Sequence, residues 1–149
     1  MALEQIRRVI ALYARAGDAN NDPLAMAALF TADARWSCAG FGSFNGRTEI
    51  TAELARIGRE RILWSLHYPV APIIDLAEDL LSAQGFWWLW ELTTLRDADG
   101  STARHWLGAT YQAAFVHAAD GWKIHKLDLD IKTIVPYAPA PPQATPPCV

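Results

Sequence analysis

The chain contains little cysteine, little charge and no long apolar run. Two of its 149 residues are cysteine, and only 19% are charged. No stretch reaches the roughly 20 consecutive apolar residues that a membrane-spanning helix needs, and no basic segment precedes an apolar one at the N-terminus. We therefore expect no membrane contact and a cytoplasmic location.

Positive charge is also scarce. Thirteen Lys and Arg residues against sixteen Asp and Glu give a formal net charge of −3. The basic residues are scattered, whereas binding to a phosphate backbone requires them to be clustered. No nucleic acid partner is expected.

The two cysteines do not form a recognisable site. A bridge between Cys38 and Cys148 would tie a predicted strand to the end of a proline-rich segment, so both are expected to be free thiols. No cluster of His, Cys and carboxylates has the spacing of metal ligands, and no glycine-rich phosphate loop occurs. We expect neither a metal nor a cofactor.

Apolar and aromatic residues are plentiful instead. The hydrophobic fraction is 52%, with seven Trp, four Tyr and five Phe. This is enough for a lined cavity or a subunit interface in addition to a core. The length suits one domain.

The first half of the sequence predicts three helices. Apolar residues at helical spacing indicate a helix over 3–16 that ends at Gly17. Asp22 followed by Pro23 is typical of a helix start and predicts a short helix to Phe30.

A strand around 34–38 and the turn-rich segment AGFGSFNG come next. The third helix is predicted over 47–61, with Ile50, Leu54 and Ile57 on one face.

The second half predicts strands, because runs rich in Trp, Leu, Thr and Ile are separated by the turn signals DLAEDL, RDADGS and HAADG. They cover 63–74, 80–95, 102–118 and 121–134. Helices followed by strands indicate an α+β fold, in which the helices cover one face of a curved antiparallel sheet around a pocket.

Proline then marks the end of the domain. Six of the nine prolines lie between Pro136 and Pro147, and proline disfavours both helix and sheet. We predict a single domain over 1–135 and an extended tail over 136–149.

Alternation in two predicted strands groups candidate cavity residues. In ARHWLGATY, His105, Leu107 and Tyr111 share a face. In GFWWLWEL, alternation groups Phe86, Trp88, Trp90 and Leu92. We expect these four residues to line the cavity together with Trp36. Trp87 and Leu89 would then lie on the opposite face and serve a subunit contact. The alternative is that these rings are ordinary core.

Several segments, in order, carry a family resemblance. LYARAGDANND, ALFTADARW, FNGRTEI, SLHYPV and GATYQAAFVHAADGWKI, spread over residues 3–135, resemble the SnoaL-like branch of the NTF2-like superfamily. The resemblance implies a cone-shaped α+β barrel, with the curved sheet packed on three N-terminal helices. It also implies association into a homodimer or homotrimer.

The dehydratase and dehydrochlorinase lyases of this branch supply site residues by resemblance. Asp18 and His67 match their aspartate and histidine dyad. Tyr13 matches a tyrosine that precedes the aspartate by five positions. Lys126 lies near a basic residue of the last strand that assists the leaving group.

An imidazole has a pKa near neutrality and accepts a proton readily, and a carboxylate beside it fixes its tautomer. The prediction is therefore a cofactor-independent lyase, a dehydratase or related enzyme, that acts on a small hydrophobic cyclic substrate with His67 as the base. Tyr13, His105 and Lys126 are candidates for polarising the leaving group or an enolate.

Other interpretations stay open. The same base could serve an isomerase or polyketide cyclase through an enolate, and the fold could be a binding or assembly module without catalysis. Each candidate residue also has a purely structural interpretation: Asp18 as a turn or helix-end residue, His67 as a strand histidine bonded to a backbone carbonyl, Tyr13 as a core aromatic, His105 as a surface or strand-end histidine, and Lys126 as a solvated lysine.

Overall fold

The computed structural model describes residues 1–137, which form three helices and six strands. The helices are α1 (Ala2–Asp18), α2 (Pro23–Ala27) and α3 (Arg47–Glu60). The strands are β1 (Phe30–Cys38), β2 (Gly42–Asn45), β3 (Ile62–Leu76), β4 (Ser82–Arg96), β5 (Thr102–Ala118) and β6 (Gly121–Pro136).

All six strands belong to one curved, unclosed sheet in the order β2-β1-β6-β5-β4-β3. Neighbouring strands are antiparallel except β1 and β6, which pair in parallel. The three helices precede most of the sheet, so the predicted α+β class is confirmed. None of the helices within residues 1–137 is long and apolar enough to cross a membrane.

Helix α1 buries the predicted apolar face through Ile6, Val9, Ile10 and Tyr13. The predicted end at Gly17 is wrong, because the helix continues to Asp18. A glycine often ends a helix, but here it serves the packing of the neighbouring strand, as described below. Asp18 therefore sits in the last helical turn and not beyond it.

The short second helix begins as predicted, since the Asp22 carboxylate accepts a hydrogen bond from the Ala25 amide at 2.7 Å. It ends at Ala27, earlier than the predicted Phe30. The segment AGFGSFNG was predicted as turns, and it contains the short strand β2, which pairs with β1.

The last strand ends two residues later than the predicted 134. Pro136 was expected in the tail, and it is the last residue of β6, opposite His105 of β5. A strand end tolerates a residue without an amide hydrogen. The Tyr137 amide donates to the Arg104 carbonyl at 2.8 Å. The rest of the predicted tail, with Cys148, lies outside the described residues.

Candidate active site

Asp18 and His67 lie in direct contact although 49 positions separate them. The Asp18 Oδ1 atom is 2.7 Å from the His67 Nδ1 atom and also accepts a hydrogen bond from the His67 backbone amide at 2.9 Å. Two bonds to one carboxylate oxygen fix both the strand and the ring against the end of α1. With the proton on Nδ1, the Nε2 atom is left as the free acceptor.

Gly17 makes this approach possible. A Cβ atom placed on Gly17 would lie 2.9 Å from Cε1 of His67, which is closer than carbon atoms pack. The imidazole therefore rests on the bare backbone of α1. Its side chain is 13% exposed.

Glu91 of β4 lies on the other side of the imidazole. It pairs directly with His67 in the β3–β4 ladder, and its Oε2 atom is 3.4 Å from His67 Nε2. The residue is 4% exposed. Its Oε1 atom is buried and has no hydrogen-bond partner among the described residues.

Burial and charge act in opposite directions on His67. Burial lowers the pKa of its imidazole, but the hydrogen bond to Asp18 and the negative charges of Glu91 and Asp18 outweigh burial, so the pKa lies above its usual 6.5. For Glu91, burial raises the pKa above its usual 4.5, against the opposing effect of His67. The charges of His67 and Glu91 therefore favour each other, whereas burial opposes the charge on both.

His67 and Glu91 face a cavity between the helices and the sheet. The volume of the cavity is about 50 Å³. Its lining is mainly apolar and aromatic. Sixteen residues line it: Tyr13, Asn21, Trp36, Cys38, Phe41, Leu54, Ile57, Ile62, Ser65, His67, Glu91, Leu95, Leu107, Tyr111, Leu129 and Ile131.

Tyr13 lies at the buried end of this cavity. Its hydroxyl accepts a hydrogen bond from the Trp36 indole at 2.9 Å, and its ring meets the Tyr111 ring edge-on at 5.9 Å between centroids. Burial raises the pKa of both tyrosines well above 10. The two hydroxyls are therefore neutral.

Cys38 also lines the cavity and forms no disulfide within the described residues. Burial raises the pKa of its thiol to about 11. A thiol that holds its proton is a poor nucleophile, which agrees with the expectation of no cysteine chemistry.

Of the predicted site residues, Tyr13, His67, Trp36, Leu107 and Tyr111 line the same cavity. Asp18 supports His67 from behind.

Trp88 and Trp90 do not line the cavity, and that prediction is wrong. Alternation grouped them correctly with Phe86, whose ring meets Trp88 edge-on at 4.8 Å. The group faces outward, however, with Trp88 46% and Trp90 49% exposed. The residues that we expected on the opposite face, Trp87 and Leu89, form the inner face of β4 instead. Both are at least 96% buried.

The predicted roles of His105 and Lys126 lose their geometric basis. Lys126 is exposed and forms an ion pair with Asp128 at 2.7 Å on the outside of β6. His105 shares the face of Leu107 but is not among the cavity-lining residues; its Nδ1 atom is 3.2 Å from the Ala103 carbonyl. Lys126 belongs to the exposed face of β6, and this strand lines the cavity through Leu129 and Ile131.

Sequence reasoning missed Glu91. Its signal is an acid in the same alternation phase as Trp87 and Leu89. A glutamate usually indicates a solvated face, so its residue type alone does not indicate a cavity residue. Within residues 1–137, no group of three or more His, Cys, Asp or Glu side chains has an arrangement that could hold a metal ion.

Residues 2–128 match the family model described as the SnoaL-like domain. The chain belongs to this family. The match covers α1, the dyad and nearly all of the sheet of this SnoaL-like protein, and it agrees with the NTF2-like fold. No curated protein matches the chain.

Solved structures resemble the SnoaL-like chain over nearly its whole length. A type 2 hexachlorocyclohexane dehydrochlorinase is 19% identical with a TM-score of 0.80, and the match covers 95% of this chain and 94% of that one. The type 3 enzyme of Novosphingobium barchaimii is 18% identical with a TM-score of 0.79, over 97% and 94%. A candidate scytalone dehydratase of Novosphingobium aromaticivorans is 19% identical with a TM-score of 0.78, over 97% and 95%. At this identity the likeness establishes the fold.

Proposed function

We propose that the protein is a cofactor-independent lyase in which His67 removes a proton from a small hydrophobic cyclic substrate. The observation that carries this proposal is the Asp18–His67 pair at the wall of a cavity. Asp18 holds the Nδ1 atom at 2.7 Å, and the Nε2 atom faces a space next to Glu91. A base positioned in this way takes a proton at Nε2 while the carboxylate stabilises the imidazolium that forms.

The lining supports a hydrophobic substrate. Trp36, Leu107 and Ile57 are buried in the wall, and a lining made mainly of apolar and aromatic side chains suits an apolar ligand. The hydroxyls of Tyr13 and Tyr111 supply polar contacts at the buried end. Such donors stabilise negative charge as it develops on a substrate oxygen. The similar solved structures include a dehydrochlorinase and a candidate dehydratase, and both names denote elimination reactions, which supports the proposal.

A panel of cyclic alcohols, hydroxyketones and chlorinated rings tests the reaction class. Incubation followed by mass spectrometry should reveal a product lighter by one water or one hydrogen chloride. A product of unchanged mass but altered double bonds would replace the lyase proposal with isomerisation through an enolate. Tight binding without turnover across the panel would favour a binding module.

His67 is tested by substitution. His67→Ala should lower turnover by about 10²-fold or more, the usual contribution of a general base, while circular dichroism shows an intact fold. His117→Ala is the matched control, since His117 is exposed on the same sheet and should not affect turnover. Turnover in the wild type should fall as the pH is lowered through the raised pKa of His67, because protonation removes the base. Unchanged turnover in His67→Ala would exclude His67 as the base.

We also propose that the exposed apolar residues on the outer face of the sheet contact other copies of the chain. The exposed large residues of β3 and β4 include Trp64, Tyr68, Val70, Trp88 and Trp90. An apolar patch of this kind is uncommon on a monomer. The mass of the assembly in solution distinguishes a homodimer from a homotrimer.

A further inference from the structure

Glu91 is an acid with one oxygen left without a partner. The Oε1 atom is buried without a hydrogen bond in the described residues, and the Oε2 atom has His67 Nε2 at 3.4 Å. A carboxylate in such a site loses its hydration without full compensation, whereas a neutral carboxylic acid loses much less. The geometry therefore favours Glu91 with its proton bound.

The groups around Glu91 act on it in both directions: burial, the largest effect, raises the pKa of its carboxyl, and His67 and a hydrogen bond with Thr93 lower it. Asp18 at the end of α1 carries negative charge, and it acts to raise the pKa of Glu91, as burial does. Tyr111 on β5 and Tyr13 on α1 hold neutral hydroxyls. The basic group beside the carboxyl is His67 on β3, and its own Nδ1 atom is already bound to Asp18.

We infer that Glu91 is the general acid of this cavity, which protonates a departing oxygen while His67 takes a proton from carbon, so that the substrate is an alcohol that loses water. This inference rests on the proposed lyase function. It narrows that function from elimination in general to dehydration, because a hydroxyl needs a proton to leave and a halide does not.

The proton and electron balance closes within the pair. His67 Nε2 takes the proton from carbon, and the electrons of the broken C–H bond form the new double bond. The C–O bond breaks with its electrons on oxygen, and this oxygen takes the Glu91 proton and leaves as water. An imidazolium and a carboxylate then remain, 3.4 Å apart between Nε2 and Oε2. Transfer of one proton from Nε2 to Oε2 restores both groups.

The short separation also fixes the stereochemistry. An acid and a base that are neighbours in one wall reach the same face of a bound ring. Removal of hydrogen and hydroxyl from opposite faces would require the two groups on opposite sides of the substrate. The expected reaction is therefore a syn elimination, which a deuterium label on one face of a substrate ring reports.

The proton on Glu91 can be observed without a substrate. Infrared spectra of the wild type at neutral pH should contain the carbonyl band of a buried carboxylic acid, and Glu91→Gln should lack it. Glu78→Gln, at an exposed position, is the control and should keep the band. Nitrogen NMR should show His67 with hydrogen on Nδ1 and none on Nε2. An ionised Glu91 beside an imidazolium would overturn the inference.

Leaving groups supply the second measurement. Glu91→Gln should lower turnover of a cyclic alcohol by about 10²-fold, the typical contribution of a general acid, and leave turnover of the corresponding chloride within a few-fold. An equal fall for both would mean that Glu91 only positions His67, and would overturn the inference. Failure of the lyase proposal is distinct, since no product lighter by one water or one hydrogen chloride would then form, whatever the infrared spectrum shows.

Discussion

Trp87 and Trp88 are neighbours in sequence and lie on opposite faces of β4. Trp87 is 2% exposed and stacks on Tyr111 at 5.0 Å between ring centroids, whereas Trp88 is 46% exposed. The inner face continues to Glu91 beside His67, and the outer face to Trp90. Both faces carry large apolar side chains, so the presence of tryptophan does not say which one holds the chemistry. The polar residue in the inner set does.

The largest expected difference between the faces is in stability. Trp87→Ala should reduce the free energy of unfolding by about 3–5 kcal/mol, the usual cost of emptying a buried aromatic site. Trp88→Ala in dilute protein should cost about 1 kcal/mol or less, because half of the ring is already solvated. Urea denaturation of both variants measures the contrast. Equal losses would mean that the outer ring is as well packed as the inner one.

Much of this arrangement was available from the sequence. Helical spacing gave α1 and α3, turn signals separated the four long strands, and alternation grouped Trp88 with Trp90. The orientation of that group was not available, because its two faces are both apolar. Glutamate is usually solvated, and the burial of Glu91 beside His67 is a feature of the folded structure.

The pairing of His67 with Glu91 depends on a β-bulge that composition does not reveal. The β3–β4 register shifts between Val70 and Ile73, where Ala71 adopts a φ of 47°. A bulge adds one residue to one strand, and a shift of one position exchanges the faces. Counting from the turn without the shift would place Leu92 opposite His67. Pro72 is the local signal, since prolines in strands occur at edges and bulges.

A second contrast compares a glycine that contacts His67 with a glycine on the outer face of the sheet. Gly17→Ala places a methyl 2.9 Å from His67 Cε1, so the ring or the helix must move. Overpacking costs about 1–3 kcal/mol, and the better helix propensity of alanine returns about 1 kcal/mol. The net loss of stability is therefore moderate, but turnover should fall sharply because the base is displaced.

Gly108→Ala is the matched change on the outer face, where the new methyl would lie 3.0 Å from Thr133 Cγ2 and 3.3 Å from the exposed Trp90 ring. Turnover should stay within a few-fold of the wild type. Steady-state rates on any accepted substrate, with His67 NMR shifts as a readout of ring position, measure both variants. Normal turnover in Gly17→Ala would show that the close contact at α1 is not needed to position the imidazole.

The smallest expected effect on the fold belongs to the outer face itself. Trp90→Glu introduces a charge where 49% of the ring is solvated, so the unfolding free energy of the separated chain should change by about 0.5 kcal/mol or less, as for most surface changes. Association should respond far more, because burying an unpaired carboxylate in an apolar contact is costly. Sedimentation should show a fall from the mass of the assembly to that of one chain. Leu24→Glu, at an exposed position on α2, controls for the added charge and should keep the assembly. A wild type that already has the mass of one chain would refute the proposed contact between copies. The exposed aromatic residues of the outer face would then require a different explanation, whereas those of the inner face are buried by their own chain.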